Sequence, residues 1–141
     1  MNSVGINLNG THLIVDCMGC ENSTLTDKIV ISDFIENTIK MLGMKKLIDP
    51  VLVQCDGSTN EWDKGGFSAF AMIAESHISI HTFPQAGLLS ADIYSCKPFD
   101  VDLAIESFQA FFYPIKIKKK LLSREVQLVR QNELNANSKR I

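Results

Sequence analysis

The segment ESHISIHTFP, residues 75–84, largely decides the predicted fold because polar and apolar side chains alternate along it. In an extended strand, successive side chains point to opposite faces of the sheet. The segment therefore predicts a strand with one face on the core and one polar face. The polar face holds His77, Ser79 and His81, and the opposite face holds Ile78, Ile80 and Thr82.

Short apolar or β-branched runs predict the other strands of the same sheet. Turn-forming residues separate several of these runs, as in the DGSTN sequence at 56–60. The predicted strands cover residues 12–17, 51–55, 67–74 and 88–96, with a last strand from Ile115 in which Ile115 and Ile117 stand between lysines.

The spacing of apolar residues between 24 and 42 predicts an amphipathic helix. Thr24 or Thr26 can cap its start and Gly43 can end it. A second helix is predicted between Asp100, as its cap, and Pro114. Its apolar stripe consists of Val101, Ala104, Ile105, Phe108, Phe111 and Phe112.

The order of these elements has too few helical crossovers for a parallel sheet. We therefore predict an α+β fold of the two-layer α/β type, an antiparallel sheet with two helices on one face. A length of 141 residues fits a single domain over residues 1–141, and residues 128–141 form a polar tail with no core pattern.

Composition excludes some partners but does not identify a function. The net charge of −2 gives no reason to expect a nucleic acid or an anionic membrane as partner. No apolar run is long enough to span a bilayer and the start has no signal-peptide pattern, so we expect a cytoplasmic protein with its four cysteines as free thiols.

The spacing of four polar residues around this strand is more informative. Ser76 follows Glu75, His81 comes five residues later and Cys96 twenty residues later, while Ser68 stands eight residues earlier. Within the motifs HISIHTFP and ADIYSC, this pattern resembles the pyruvoyl-dependent S-adenosylmethionine decarboxylases. The resemblance covers about residues 8 to 126.

That resemblance implies self-cleavage between Glu75 and Ser76 into residues 1–75 and 76–141. It implies that Ser76 becomes a covalent pyruvoyl group, which forms a Schiff base with a small-molecule substrate and is the only cofactor, with no metal. The same resemblance assigns proton transfer during processing to His81, and proton donation during decarboxylation to Cys96. It also implies a role in polyamine biosynthesis and a homodimer or higher homo-oligomer with active sites near the subunit interface.

Three further positions complete the implied site. The resemblance gives Ser68 a part in processing or proton handling, and gives Glu75 contact with the substrate as well as the cleaved bond. Trp62 falls near a family aromatic that stacks on adenine, and an aromatic ring suits stacking on a base.

The sequence leaves the substrate open. Phe83 and Gln85 stand where the usual bacterial pattern has tryptophan and glutamate, and Lys97 replaces a common glycine. Relatives with the same fold and chemistry decarboxylate arginine or ornithine, so these remain alternatives to S-adenosylmethionine.

A hypothesis of another class rests on Cys17 and Cys20. A Cys-x-x-Cys pair can bind zinc or act as a dithiol redox site. A second close pair of cysteines is absent from the sequence, which favours two structural thiols at the end of a strand.

Overall fold

The computed structural model describes residues 9–126 and 128–138. The strands are β1 (Gly10–Met18), β2 (Val51–Cys55), β3 (Gly66–Ile73), β4 (Ser76–Phe83), β5 (Leu88–Ser95) and β6 (Lys116–Arg124). The helices are α1 (Asn22–Leu25), α2 (Lys28–Met41), α3 (Val101–Phe112) and α4 (Gln131–Asn137), with a 3₁₀ turn at Pro84–Ala86.

The six strands form one sheet in the order β2-β3-β4-β5-β1-β6. Every neighbouring pair in it is antiparallel. The predicted α+β fold with an antiparallel sheet is confirmed. The strand that follows β5 in space is β1, so the first strand of the chain lies between two late ones.

The first helical segment differs from the prediction at its start. A short helix, α1, ends at Leu25, and α2 begins separately after Asp27. The cap is Asp27, whose carboxylate accepts hydrogen bonds from the backbone N–H groups of Ile29 and Val30. Thr24 and Thr26 were therefore the wrong caps, because a carboxylate placed directly before the helix takes that role.

Helices α2 and α3 cover one face of the sheet and form the core with it. Phe34 of α2 is fully buried and packs against Phe108 and Phe112 of α3, with ring centroids 4.7 and 5.0 Å apart. Burying one such side chain contributes about 1.5–3 kcal/mol. The hydroxyl groups of Thr38 and Ser107 pair at 2.8 Å between the helices, so the buried polar atoms there are satisfied.

The opposite face of the sheet carries no helix within the described part of the chain. We call this surface the open face. It combines the polar side of β4 with exposed apolar side chains on the neighbouring strands. The exposed apolar residues include Val51, Val53, Phe70, Met72 and Leu122.

The tail of the chain has no core pattern, as predicted, because its described residues, 128–138, are all exposed. Helix α4 was not predicted, and all of its residues are exposed. Ile115 lies before β6 rather than in it and is 90% exposed, because the chain is still turning out of α3 there. Residues 139–141 lie outside the described residues. Among the described helices, none is long and apolar enough to cross a membrane.

Candidate active site

The hairpin between β3 and β4 places an unusual backbone conformation at Ser76. Only Ala74 and Glu75 separate the paired residues Ile73 and Ser76. Two-residue hairpin loops usually adopt turns with positive φ, which favour glycine or asparagine in the loop. Here the positive φ falls instead on Ser76, at 154°. A non-glycine residue in such a region costs about 1–3 kcal/mol and persists only when its surroundings hold it there.

Hydrogen bonds from outside the hairpin hold its loop in place. The N–H of Ala74 donates to the carbonyl of Lys45 at 2.8 Å. In return, the N–H of Lys45 donates to both carboxylate oxygens of Glu75 at 3.2 Å. Both residues of the loop are therefore fixed by contacts with Lys45. Because Ser76 directly follows the loop, these contacts also hold its backbone conformation.

Cys96 approaches the peptide bond between Glu75 and Ser76 directly. Its backbone N–H donates to the carbonyl oxygen of Glu75 at 3.0 Å. If a nucleophile attacked this carbonyl, its oxygen would become negatively charged, and a donor already in place would stabilise that charge. Ser76 pairs with Ser95 across the sheet, so Ser76 and Cys96 are neighbours although twenty residues separate them.

A small cavity of about 140 Å³ opens beside the exposed Cys96. Its lining residues are Asn9, Gly10, Thr11, Ser95, Cys96, Lys97, Pro98 and Ser123. The ammonium group of Lys97 donates to the carbonyl of Gly43 at 2.8 Å. Lys97, which departs from the common glycine, thus fixes one wall of this cavity.

Ser68 and His81 form a second group, separate from the first in a single chain. They pair directly across β3 and β4, and the Ser68 hydroxyl lies 2.9 Å from Nδ1 of His81. Five residues of strand separate His81 from Ser76, which at the rise of an extended chain is roughly 16 Å. One chain therefore brings together Glu75, Ser76 and Cys96, but it does not bring His81 to Ser76.

Trp62 lies in the loop between β2 and β3 and is 79% exposed. That loop joins the end of the sheet where β3 begins, whereas Ser76 pairs with the last residue of β3. Trp62 therefore belongs to the His81 end of the sheet. Its ring is available for stacking on a ligand, but not on a ligand bound at the Ser76 of its own chain.

Asp92 of β5 is the centre of a polar cluster on the open face. It lies 2.5 Å from Nε2 of His12 and 3.2 Å from Nε2 of His77, and it accepts a hydrogen bond from Ser79. Burial raises the pKa of Asp92, but the hydrogen bonds from Ser79, His12 and His77 outweigh it and hold the pKa below its usual value. Because the ionised carboxylate only accepts, both imidazole rings donate to it through Nε2.

The two cysteines of the Cys-x-x-Cys pair are buried free thiols beneath the sheet. A hydrogen bond between the thiols, followed in importance by burial, raises the pKa of Cys17, while the same bond lowers the pKa of Cys20. Among the described residues, the one set of three or more possible metal ligands is His12, His77 and Asp92. Nothing in that part of the chain completes a zinc site at Cys17 and Cys20.

Sequence reasoning missed two features of the site. Nothing in the sequence points to Lys45, because it contacts the loop through its backbone N–H and carbonyl. Asp92 did give a signal, since it is the one charged residue of β5. His12 becomes part of the cluster only through the pairing of β1 with β5.

The chain is similar to known proteins in sequence and in fold. A sequence profile described as S-adenosylmethionine decarboxylase matches residues 11–125. The S-adenosylmethionine decarboxylase proenzyme of Methanococcus maripaludis is 32% identical over 103 residues, 70% of this chain and 78% of that protein. The proenzyme of Pyrobaculum neutrophilum is 32% identical over 93 residues, 66% of this chain and 69% of that protein.

A solved structure gives the same fold. The crystal structure of the adenosylmethionine decarboxylase from Aquifex aeolicus superposes with a TM-score of 0.72. The match covers 90% of this chain and 99% of that one at 24% sequence identity. At that identity the likeness is one of fold.

Proposed function

The chain belongs to the S-adenosylmethionine decarboxylase family, and we propose on that premise that it cleaves itself between Glu75 and Ser76 and then decarboxylates S-adenosylmethionine through a pyruvoyl group at position 76. It is a carboxy-lyase. The observation that carries the proposal is the strained Ser76, whose preceding carbonyl accepts a hydrogen bond from Cys96.

Cleavage would begin with attack of the Ser76 hydroxyl on the carbonyl carbon of Glu75. The C–N bond breaks as the C–O bond forms, so the amide becomes an ester and the Ser76 nitrogen becomes a free amine. Negative charge on the Glu75 oxygen during this step is stabilised by the Cys96 N–H. Once the amide bond is broken, Ser76 no longer has to hold the φ of 154° that it has in the intact chain.

The second stage would remove a proton from the α-carbon of Ser76. Its electron pair forms a double bond to the β-carbon, the bond to the ester oxygen breaks, and residues 1–75 leave with a new carboxylate. Water then converts the resulting enamine into a ketone and ammonia. Imidazole suits this proton transfer near neutral pH, and we assign it to His81, with Ser68 holding the ring at Nδ1.

His81 would have to come from a second copy of the chain. In one chain it is roughly 16 Å along β4 from Ser76, too far for proton transfer. The open face offers a surface for that copy, because it exposes Val53 and Phe70 beside His81. A homodimer packed through this face could pair the Ser76 end of one sheet with the His81 end of the other.

The same arrangement would bring Trp62 to the site. Trp62 lies at the His81 end of its sheet, so a second copy could deliver its ring together with His81. Stacking on adenine by this ring would favour S-adenosylmethionine over arginine or ornithine, which have no base.

When formed, the pyruvoyl group supplies a ketone that binds the substrate amine and accepts the electron pair left by carbon dioxide, a role no standard side chain can fill. The residues of this chain have simpler tasks. Cys96 is exposed beside position 76, where its thiol can return a proton to the α-carbon of the product. Glu75, as the new chain end, remains held by Lys45 and Cys96 at the site.

Carbon dioxide release tests the proposal. The purified chain, checked by mass spectrometry for fragments 1–75 and 76–141, is assayed with carboxyl-labelled S-adenosylmethionine, arginine and ornithine. We expect release from S-adenosylmethionine alone, and none from uncleaved Ser76→Ala. Preference for an amino acid would overturn the substrate, and a wild-type chain that never cleaves would overturn the mechanism.

A further inference from the structure

Three side chains on the open face have the geometry of a metal site. His12, His77 and Asp92 each offer a ligand atom, and these atoms lie within 4.8 Å of one another. The shortest separations join Nε2 of each histidine to Oδ2 of Asp92, at 2.5 and 3.2 Å. Two nitrogens or oxygens bound to one tetrahedral zinc ion lie about 3.3 Å apart. The 3.2 Å pair already has that spacing, and the 2.5 Å pair would have to separate by less than about 1 Å.

The pairing of three strands builds this cluster. His12 of β1 and His77 of β4 both pair with Tyr94, on either side of β5. Asp92 lies two residues before Tyr94 and therefore points to the same face. The three ligands are thus carried by the centre of the sheet, which holds side chains in place better than a loop.

The neighbouring side chains orient the ligands as metal sites require. Ser79 donates a hydrogen bond to Oδ1 of Asp92, which leaves Oδ2 towards the histidines. The Tyr94 ring packs against both imidazoles, at centroid distances of 5.4 and 5.6 Å. Phe70 packs on His77 at 5.2 Å. Hydrogen bonds such as the one from Ser79 fix the orientation of a carboxylate around a metal, and the ring packing restricts the two imidazoles.

We propose that His12, His77 and Asp92 bind one divalent first-row transition metal ion, with Zn²⁺ as the representative ion. Two imidazoles and one carboxylate favour zinc, cobalt, nickel or iron over magnesium and calcium, which prefer oxygen ligands alone. Three protein ligands leave a position for water. On binding, each imidazole must coordinate through Nε2 and carry its proton on Nδ1, so the ion replaces the two hydrogen bonds to Asp92.

The proposal departs from the expectation that the chain has no metal, and it uses none of the residues assigned to cleavage or turnover. Its position still bears on processing, because His77 directly follows Ser76. An ion held by His77 would link the first residues of fragment 76–141 to β1, which belongs to the other fragment.

Metal content and cobalt spectra test the site without an activity assay. The full-length chain is purified from zinc-supplemented cells for elemental analysis, and a chelator-treated sample is titrated with Co²⁺ alone. We expect one ion per chain, and a cobalt spectrum with nitrogen and oxygen ligation and without the thiolate charge-transfer band that cysteine ligands would give.

Four variants locate the ion. Asp92→Asn and His12→Asn should weaken Co²⁺ binding by about 100-fold or more, and Ser79→Ala, which only orients Asp92, by about 10- to 100-fold. His81→Asn is the matched control, since His81 is the chain's third histidine and lies outside the cluster. It should bind Co²⁺ like the wild type. Circular dichroism checks that each variant is folded.

Three results would overturn the proposal. One is a folded wild-type chain that takes up neither ion. Another is uptake that survives both Ser79→Ala and His12→Asn unchanged, because the ion would then lie outside the cluster. The third is a cobalt spectrum with the thiolate band, because the ion would then lie at the cysteines. If Asp92→Asn does not fold, His12→Asn and Ser79→Ala still decide the question.

Discussion

The Ser68 hydroxyl and Nδ1 of His81 are 2.9 Å apart across β3 and β4, in a chain where these residues are thirteen positions apart. His81 and Ser76, only five positions apart on one strand, are separated by roughly 16 Å. The proposed cleavage needs His81 close to Ser76, and within one chain these two residues are too far apart.

Chains with complementary defects should restore cleavage to each other. His81→Asn alone should stay uncleaved, because it lacks the proton acceptor, and Ser76→Ala alone should stay uncleaved, because it lacks the hydroxyl. When the two are co-expressed, the His81→Asn chain should be cleaved, since its Ser76 meets the His81 of the other copy. Mass spectrometry of the mixed sample distinguishes the chains. Absence of any cleaved His81→Asn chain would mean that His81 does not act between copies.

Glycine at position 76 should make the uncleaved chain more stable than alanine does. Neither Ser76→Gly nor Ser76→Ala can cleave, so both report on the intact hairpin. In an ordinary strand position glycine is less stable than alanine by about 0.5–1 kcal/mol. At a φ of 154° the order should reverse, with glycine more stable by about 1–3 kcal/mol. Urea unfolding measures the difference, and the ordinary order would show that Ser76 is not strained.

The thiol of Cys96 should react first with a thiol reagent in the folded chain. Cys96 is exposed, Cys55 is partly buried, and Cys17 and Cys20 are buried. Peptide mapping after brief labelling should find the reagent at Cys96, with Cys17 labelled only after unfolding. Rapid labelling of Cys17 in the folded chain would contradict the structure.

Loss of the Cys96 thiol should impair turnover more than cleavage. The backbone N–H that contacts Glu75 is retained in Cys96→Ala, so this variant should still cleave. Its turnover should fall by about 10²-fold or more, the usual contribution of a positioned proton donor. Full turnover by cleaved Cys96→Ala would remove the thiol from the mechanism.

Replacement of Trp62 should affect substrate binding alone. If the ring stacks on adenine, Trp62→Ala should lose about 1–3 kcal/mol of binding to S-adenosylmethionine. Cleavage at Ser76 should be unchanged, because it requires no substrate. Calorimetry with a non-reactive substrate analogue gives the first quantity and mass spectrometry the second. Unaltered affinity would place Trp62 outside the substrate site.

Periodicity predicted the central strands well because β1, β3, β4 and β5 each have one buried face. The alternation from His77 to Phe83 and the β-branched run at 51–55 both correspond to strands. The start of α2 was less predictable, since Thr24, Thr26 and Asp27 are all good caps. In the structure Thr24 lies in the separate helix α1 and Thr26 ends it, which leaves Asp27 directly before α2.

The candidate site was only partly readable, because spacing along a strand does not report distance between strands. The pairing of β4 with β5 brings Ser76 near Cys96, which spacing along the sequence alone does not show. The distance of roughly 16 Å between Ser76 and His81 follows instead from their separation along one strand. The strain at Ser76 also has no sequence signature, because it depends on contacts from Lys45 and Cys96 with the loop.

The strand order has a consequence for the refolding of a chain cleaved as we propose. Fragment 1–75 contains β1, β2 and β3, and fragment 76–141 contains β4, β5 and β6. Because β1 lies between β5 and β6, three of the five strand junctions join different fragments: β3 to β4, β5 to β1, and β1 to β6. The fragments are interleaved, so a cut between residues 75 and 76 would not let them drift apart while the sheet is intact. Once unfolded, however, they would have to find each other by diffusion, and recovery would become dependent on concentration. The uncleaved chain can refold as one piece, whereas the proposed cleaved form would keep a fold that neither fragment contains alone.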